Sequence, residues 1–180
     1  QVDKVIKERI LSKNDEGKEK LKAFFKENGG AINTLAGLKG KFNTSIESID
    51  EFIDYYPFFN YQMRLLKNFL YAVFQQAQAG GSERGMMVTV DKILKGEKLF
   101  KDKIGTFVTS YQLCEHGFPM RQSELEDKFN QAAKDLKDEG MEIDGKHLMQ
   151  TVFFLEKSED VKRTVDNIAK AYHKDLSYIG

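Results

Sequence analysis

The sequence predicts an all-α fold, built as an irregular bundle of about eight to ten short helices. Apolar residues recur at spacings of three and four along nearly the whole chain, which is the period of an amphipathic helix. Only two prolines, Pro57 and Pro119, occur in the 180 residues, and no stretch shows the sustained alternation of a strand. We therefore expect a single helical domain over residues 1–180, with 1–56 and 57–180 as candidate sub-units.

Three short helices are predicted in the N-terminal part, around residues 5–11, 21–28 and 46–55. Asn28-Gly29-Gly30 is expected to end the second of these, because glycine readily adopts the left-handed conformation found after helix ends. Gly37, Gly40 and the polar residues around Asn43 indicate a loop with a short helix inside it. The third helix is expected to end before Pro57, because a residue that precedes proline disfavours helical backbone angles.

The strongest amphipathic pattern covers residues 58–78, where one wide face is apolar. Gly80-Gly81 is expected to end this helix, and Ser82 to cap the next one, so that Arg84 lies in its first turn. A cation there faces the positive end of the helix dipole, and such a placement against local preference sometimes signals function. Further helices are predicted around residues 86–94, 99–113, 123–136, 146–156 and 161–172.

The composition is typical of a soluble globular protein. With 28 basic and 28 acidic residues the formal net charge is zero, which argues against a protein that mainly neutralises phosphates. The single cysteine, Cys114, excludes an internal disulfide and is typical of a reducing compartment. No apolar run approaches the roughly 20 residues of a membrane span, so we expect a cytoplasmic protein without membrane contact. The chain starts at Gln1 rather than at a methionine, which indicates a fragment of a longer chain.

No motif in the chain predicts catalysis. A phosphate-binding loop needs Gly-x-x-x-x-Gly-Lys-Ser/Thr after a buried strand. The nearest stretch, Gly37-Leu38-Lys39-Gly40-Lys41-Phe42, has the wrong spacing, ends in phenylalanine and follows no predicted strand. The chain alone is therefore expected not to hydrolyse ATP and to carry no catalytic residue or cofactor of its own.

Neither the histidines nor the main aromatic run predicts a ligand site. Only the Cys114-x-His116 pair brings two metal-binding side chains close in sequence, and zinc needs further ligands, so we expect no metal site. The aromatic run could form a platform for stacking nucleic-acid bases, but its helical spacing and aliphatic neighbours favour core packing. The run comprises Tyr55, Tyr56, Phe58, Phe59 and Tyr61.

The densest basic stretch is a second candidate contact surface. Lys92, Lys95, Lys98 and Lys101 are spaced by three residues, so a continuous helix would place them along one slowly drifting face. Such a face could contact nucleic acid or an acidic partner. Acidic residues dilute its charge, and a solvated helix surface is the simpler interpretation.

Three groups of residues, in this order along the chain, resemble the ATPases of BREX phage-defence systems (the BrxC/PglY type). The first group runs from Ile49-Asp50-Glu51-Phe52 to Tyr56-Pro57-Phe58 and Tyr61-Gln62. The second group is Gly80-Gly81-Ser82-Glu83-Arg84. The third group leads from Val152-Phe153-Phe154-Leu155 through Val161-Lys162 to Thr164-Val165-Asp166-Asn167-Ile168-Ala169. The resemblance covers nearly the whole chain and departs from the family pattern at Asn60 and Met86-Met87.

The resemblance implies that the chain is the lid-like helical segment of a very large AAA+-like ATPase. In that family a phosphate-binding loop lies upstream of this region, so ATP and Mg²⁺ would be held by the ATPase core of the same parent chain. Other defence-system proteins, or further copies of the parent, are the other expected partners. For Arg84 the resemblance implies a guanidinium that reaches back to the γ-phosphate and senses the nucleotide. From the residues alone, a solvated arginine paired with Glu83 or another surface carboxylate is the alternative, and both interpretations stay open.

Three classes of function remain open from the sequence. The first is a non-catalytic accessory domain of an ATPase, which acts through lid motion and assembly contacts. The second is a nucleic-acid-binding helical module, for which the lysine stretch is the only support. The third is a protein–protein interaction domain with no link to a nucleotide.

Overall fold

The computed structural model describes residues 1–74, 79–101, 103–119 and 123–179, with the backbone alone at 79–82 and 100. The regular elements of these ranges are helical, which confirms the all-α prediction. In chain order the described ranges contain nine α-helices, which are α1 (Val2–Val5), α2 (Asp15–Ala36), α3 (Ile49–Tyr55), α4 (Asn60–Val73), α5 (Ala79–Gly96), α6 (Ser110–Gly117), α7 (Glu124–Asp138), α8 (Gly145–Ser158) and α9 (Val165–Tyr172). A π-helical turn follows α1 at Ile6–Ile10, and 3-10 turns lie at Leu99–Lys101 and Leu176–Tyr178.

Polar residues fix where most of these helices begin. At a helix start the first backbone N–H groups have no partner within the helix, and a side-chain oxygen can accept from one of them. Six described helices have such a cap, formed by Asn14, Ser48, Thr109, Ser123, Asp144 and Thr164. Each cap accepts the N–H three residues further on, so these starts are set by local sequence.

The glycine pair expected to end the second helix lies inside it instead. α2 continues through Gly29 and Gly30 and ends at Ala36. Beyond the pair, Ile32 and Leu35 are completely buried. Burial of an aliphatic side chain stabilises by roughly 1.5–3 kcal/mol, whereas a glycine inside a helix costs about 1 kcal/mol. The distant core contacts therefore outweigh the local preference.

The boundary between α4 and α5 also differs from the prediction. α4 ends at Val73 rather than Gln78, and α5 begins at Ala79, so Gly80 and Gly81 belong to α5. Residues 75–78 lie outside the described part of the chain. Phe74, which follows α4, is 52% exposed, so the last described residue before the gap is only partly buried.

Helices α4 and α8 form the centre of the bundle. Leu65, Leu66 and Phe69 of α4 are completely buried. The ring of Phe69 lies 4.9 Å from that of Phe154 in α8 and meets the ring of Phe153 edge-on at 5.8 Å. α8 also contacts α6, α7 and α9. Every helix after α5 is thus attached to the α4–α8 pair directly or through one neighbour.

The main aromatic run packs inside the protein, as predicted. Phe58, Phe59 and Tyr61 are at most 4% exposed. The ring of Phe59 stacks on that of Phe107, with centroids 4.8 Å apart. Buried rings cannot stack on nucleic-acid bases, so the base-stacking platform is excluded.

The buried amide of Gln62 joins α4 to the extended segment before α6. Its Oε1 accepts the backbone N–H of Phe59 at 2.9 Å, and its Nε2 donates to the carbonyl of Val108 at 2.8 Å. The N–H of Val108 donates in turn to the carbonyl of Pro57 at 2.9 Å. Polar backbone groups beside the aromatic cluster are therefore paired, which removes the penalty for burying them.

The amide of Asn167 joins the loop after α2 to the segment before α9. Its Oδ1 accepts the N–H of Lys39 at 2.9 Å, and its Nδ2 donates to the carbonyls of Lys39 and Lys162, each at 2.7 Å. An antiparallel bridge pairs Gly40 with Val161 beside it. We call this arrangement the Lys39–Asn167 clip. It hydrogen-bonds the candidate sub-unit 1–56 to the candidate sub-unit 57–180.

We expect Gly40→Ala to destabilise the protein by about 2–3 kcal/mol. A Cβ at residue 40 would clash with the backbone oxygen of Asp160, and relief of this clash requires the two paired segments of the clip to move apart. Urea unfolding followed by circular dichroism measures the free-energy change. Gly30→Ala is the matched control, because nothing lies within 4 Å of a Cβ there, and alanine favours a helix interior by about 0.5–1 kcal/mol. An unchanged unfolding free energy for Gly40→Ala would contradict the bridge.

An ion pair lies next to the clip on the protein surface. Arg64 Nε donates to Asp160 Oδ2 at 2.7 Å, and Asn68 Nδ2 donates to the same oxygen at 3.0 Å. The Arg64 guanidinium also lies over the ring of Phe42, 4.2 Å from its centroid. Burial by itself raises the pKa of Asp160, but the hydrogen bonds from Arg64 and Asn68 outweigh it, and the pKa falls below its ordinary value of 3.8.

The lowered pKa of Asp160 predicts a contribution to acid sensitivity. A carboxyl group whose pKa is lower in the folded state stabilises that state above its unfolded pKa, and this stabilisation is lost as the pH falls through the folded pKa. Asp160→Asn should therefore lose less unfolding free energy than the wild type between about pH 5 and pH 2.5. Urea unfolding across this range measures it, with the exposed Glu142→Gln as the matched control. Parallel pH curves for Asp160→Asn and the wild type would contradict the contribution.

Candidate functional site

Helix α5, which carries Arg84, has one face in the core and one in solvent. Met86, Val90 and Ile93 are at most 1% exposed, and α5 contacts both α4 and α6. The hydroxyl of Thr89, also buried, donates to the carbonyl of Gly85 at 2.7 Å, so it needs no partner outside the helix. The helix is therefore a firmly anchored support for the residues on its other side.

The solvent side of α5 carries three cations in a row. Arg84, Lys92 and Lys95 are exposed, and with Val88 they follow spacings of four, four and three residues, which is one face of a helix. At 1.5 Å per residue the row is about 16 Å long. We call Arg84, Lys92 and Lys95 the basic face. Val88, which is 43% exposed, lies within it. The structure thus brings together residues that the sequence indicated separately.

Arg84 lies one turn deeper in its helix than predicted. α5 begins at Ala79, so Ser82 does not cap it and Arg84 belongs to the second turn. The dipole field falls off within the first turn, so it does not act strongly on this guanidinium. No ion pair joins Arg84 to Glu83 or to any other carboxylate in the described residues. No described carboxylate therefore competes with an external anion for this guanidinium.

The four lysines do not share one helical face. Lys92 and Lys95 do, and Lys95 Nζ lies 2.8 Å from Asp91 Oδ2 of the same helix. Lys98 and Lys101 depart from the prediction because α5 ends at Gly96, and Lys98 adopts a left-handed backbone with φ of 52°. Lys101 belongs to the 3-10 turn that follows. The helix end, which the spacing of the lysines does not reveal, divides the stretch into two.

The glycine-containing stretch 37–42 is an ordinary loop, as predicted. The N–H of Lys39 donates to Asn167, and the N–H of Lys41 donates to the carbonyl of Asp160 at 2.8 Å. The carbonyl of Gly37 accepts from Lys170 Nζ at 3.0 Å. A phosphate-binding loop requires free N–H groups that converge on the anion, and these are already used within the protein.

The side chains of Cys114 and His116 lie in different surroundings. Cys114 is completely buried, and this burial, with a smaller effect of Glu115, raises the pKa of its thiol to about 12. Side chains two residues apart on a helix do not face each other, and His116 Nε2 lies 2.9 Å from Glu97 Oε1 instead. The part of the chain that the structure describes holds no group of three or more His, Cys, Asp or Glu side chains suited to a metal ion.

A polar cleft of about 390 Å³, which the sequence did not indicate, is lined mainly by residues of α6 and α8. The rings of Tyr111 and His147 stack in it with centroids 4.0 Å apart and planes within 2°. Burial is the main cause that raises the pKa of Tyr111 above its ordinary value. Because the two rings come from separate helices, no local spacing in the sequence could have paired them.

Both glutamates of this cleft already have partners. Glu115 accepts a hydrogen bond from Nε2 of the buried Gln150, and Glu97 pairs with His116. General acid–base catalysis needs a proton-transfer group that can reach a substrate in the required protonation state. Because both carboxylates are already hydrogen-bonded or paired within the protein, the cleft is a packing contact between α6 and α8, and we assign it no reaction.

The described residues contain no helix that is both long and apolar enough to cross a membrane. Comparison with models of known protein families finds no match. No solved structure matches the chain either. The candidate site is therefore defined by the geometry of α5 and its exposed cations.

Because one face of α5 is buried and the other is exposed, two alanine variants should differ in how much unfolding free energy they lose. Met86→Ala should lower the unfolding free energy by about 2–4 kcal/mol, because it opens a cavity in the core. Val88→Ala, on the exposed side, should change it by less than about 0.5 kcal/mol. Thermal and urea unfolding of the two variants measure the difference. Similar losses for both would show that α5 is packed in another orientation and that the basic face is not on the surface.

Proposed function

We propose that the chain is a non-catalytic helical lid domain of a large P-loop ATPase in bacterial phage defence, and that it couples nucleotide state to assembly. The observation that carries the proposal is Arg84, an exposed guanidinium that makes no ion pair with a described residue, on a helix whose other face is buried. The order of the family-like residue groups along the chain supports it. In this proposal the protein works in the cytoplasm.

The chemistry of an unpaired arginine suits a phosphate. The guanidinium group is planar and permanently charged, and its donors match two phosphate oxygens at once. Because no described carboxylate is paired with Arg84, contact with a γ-phosphate breaks no ion pair inside this part of the chain. ATP and Mg²⁺ are held by the ATPase core of the same parent chain, and this domain adds one positive charge to the nucleotide site.

Because α5 is packed into the bundle, a contact between Arg84 and a phosphate can move the whole domain. Met86, Val90 and Ile93 fix the helix in the bundle, so a shift of Arg84 towards or away from a phosphate moves the bundle with it. Lys92 extends the positive charge along the helix, towards an acidic surface of the core, of another subunit or of another defence protein, and Lys95 does so where that surface replaces its partner Asp91. Hydrolysis removes the γ-phosphate and so releases the lid.

Arg84→Ala in the full-length parent protein should lower ATP turnover by at least about tenfold while leaving the fold intact. The loss follows from removal of the one charge that this domain supplies to the γ-phosphate. Steady-state phosphate release measures turnover, and circular dichroism measures folding. The affinity for ADP should change less than turnover, because ADP lacks the γ-phosphate.

Arg9→Ala is the matched control for this experiment. Arg9 is also exposed and has no ion pair among the described residues, but it lies in the π-helical turn after α1. Its removal should leave turnover unchanged. Turnover of Arg84→Ala equal to that of Arg9→Ala would refute the sensor role and leave a protein–protein interaction domain as the working function.

A further inference from the structure

An apolar groove of about 310 Å³ is lined by residues from the N-terminal part of the chain and by Leu94 of α5. Its walls come from the segment before α2, from α2 itself and from the region around the end of α5. The aliphatic lining includes Leu11, Leu21, Leu94, Leu99 and Ile104. A concave apolar surface of this size is at the lower end of the range for small-molecule sites.

Among the described residues that line this groove, Lys13 is the one with an amine side chain, and the phenol of Tyr56 is the other ionisable group. Its Nζ donates to the backbone carbonyl of Asp54 at 3.2 Å and forms no ion pair with a described carboxylate. The carboxylate of Asp54 is paired instead with Lys7 Nζ, at 3.5 Å. Burial lowers the pKa of Lys13 to about 8, although the nearby Asp54 acts in the opposite direction.

Lys13 also lines a second, more polar cavity. This cavity, of about 740 Å³, is lined by charged groups from each element packed around the lysine. They are Asp3, Lys4, Lys7 and Glu8 from α1 and the π-helical turn, Lys18 from α2, and Asp54 from α3. Acids and bases are mixed there, so Lys13 separates a region of mixed charge from an apolar one.

We propose that Lys13 is a covalent attachment site for small apolar aldehydes, whose tails occupy the groove while the carbonyl carbon reacts with the amine. The neutral amine adds to the carbonyl carbon, and loss of water from the adduct leaves an imine between Nζ and the former aldehyde carbon. Both amine protons leave with the carbonyl oxygen as water. No electrons are gained or lost, so no oxidant or reductant is required.

The surroundings of Lys13 favour an aldehyde over a charged ligand. Because the amine is partly desolvated and its pKa is lowered, it offers a carboxylate a weaker counter-charge than an ordinary lysine does, whereas a neutral carbonyl needs none. An aliphatic tail gains from burial against the leucines of the groove. Lysines in partly desolvated sites are the ones that proteins use for imine chemistry.

Reductive trapping with hexanal and cyanoborohydride, on the chain as it is, tests the proposal. Cyanoborohydride donates hydride to the imine and fixes it as a secondary amine, which peptide mass spectrometry locates. At about pH 7.5 roughly a quarter of Lys13 is neutral, against about one part in a thousand for an ordinary lysine. Part of this gain is lost because weaker bases are weaker nucleophiles, so labelling about tenfold faster than at the exposed Lys128 and Lys137 is expected. Equal labelling of the three lysines would overturn the proposal.

Two comparisons separate binding in the groove from reactivity of the amine alone. Glyoxylate, a charged aldehyde without an apolar tail, should label Lys13 with much less preference than hexanal does. Ile104→Ser, at a groove position that is 37% exposed, should reduce the preference for hexanal, whereas Val165→Ser, at a position that is 85% exposed and outside the groove lining, should not. Undiminished preference both with glyoxylate and in Ile104→Ser would overturn the assignment of the groove as the binding site.

Discussion

The side-chain amide of Asn167 is the contact on which the arrangement of the two ends of the chain depends. It is completely buried, and it satisfies both backbone groups of Lys39 and the carbonyl of Lys162. The contact closes a loop between Lys39 and Asn167, which are 128 residues apart in sequence. Closing so long a loop costs conformational entropy that a single contact does not recover. The compensating free energy comes from core packing. The clip places the buried end of α2 and the start of α9 against the bundle together.

The bundle built on this closure is rigid where the candidate site lies. α5 is held by contacts with α4 and α6, and α6 is held in turn by α8. A basic face on such a support keeps the backbones of Arg84 and the two lysines at fixed separations. Fixed spacing favours recognition of a shaped anionic surface over loose electrostatic attraction, because little backbone freedom is lost on contact and only the side chains have to be ordered. This property connects the fold to the proposed lid function.

The fold class and several helix starts could be predicted because their causes are local. Ser123 caps α7 through a hydrogen bond three residues away, and the period of the apolar residues marks the helix that follows. The helix end predicted at Gly29-Gly30 was wrong, because burial of residues such as Leu35 overrides the local preference of glycine. That burial depends on distant parts of the chain. Arg84 was predicted as a candidate from its motif, but its depth in α5 was not. Lys13 gave no signal, because the residues that surround it come from parts of the chain that are distant in sequence.

The clip also determines how the protein responds to mechanical force. Tension applied at the two ends of the chain passes through α2, crosses from residues 39–41 to residues 160–162, and leaves through α9. Everything between these crossing points along the backbone, α5 included, lies inside a loop that the clip closes. In a domain pulled by moving neighbours, the backbone of the helix that bears Arg84 would therefore not be stretched from end to end until the clip's hydrogen bonds fail.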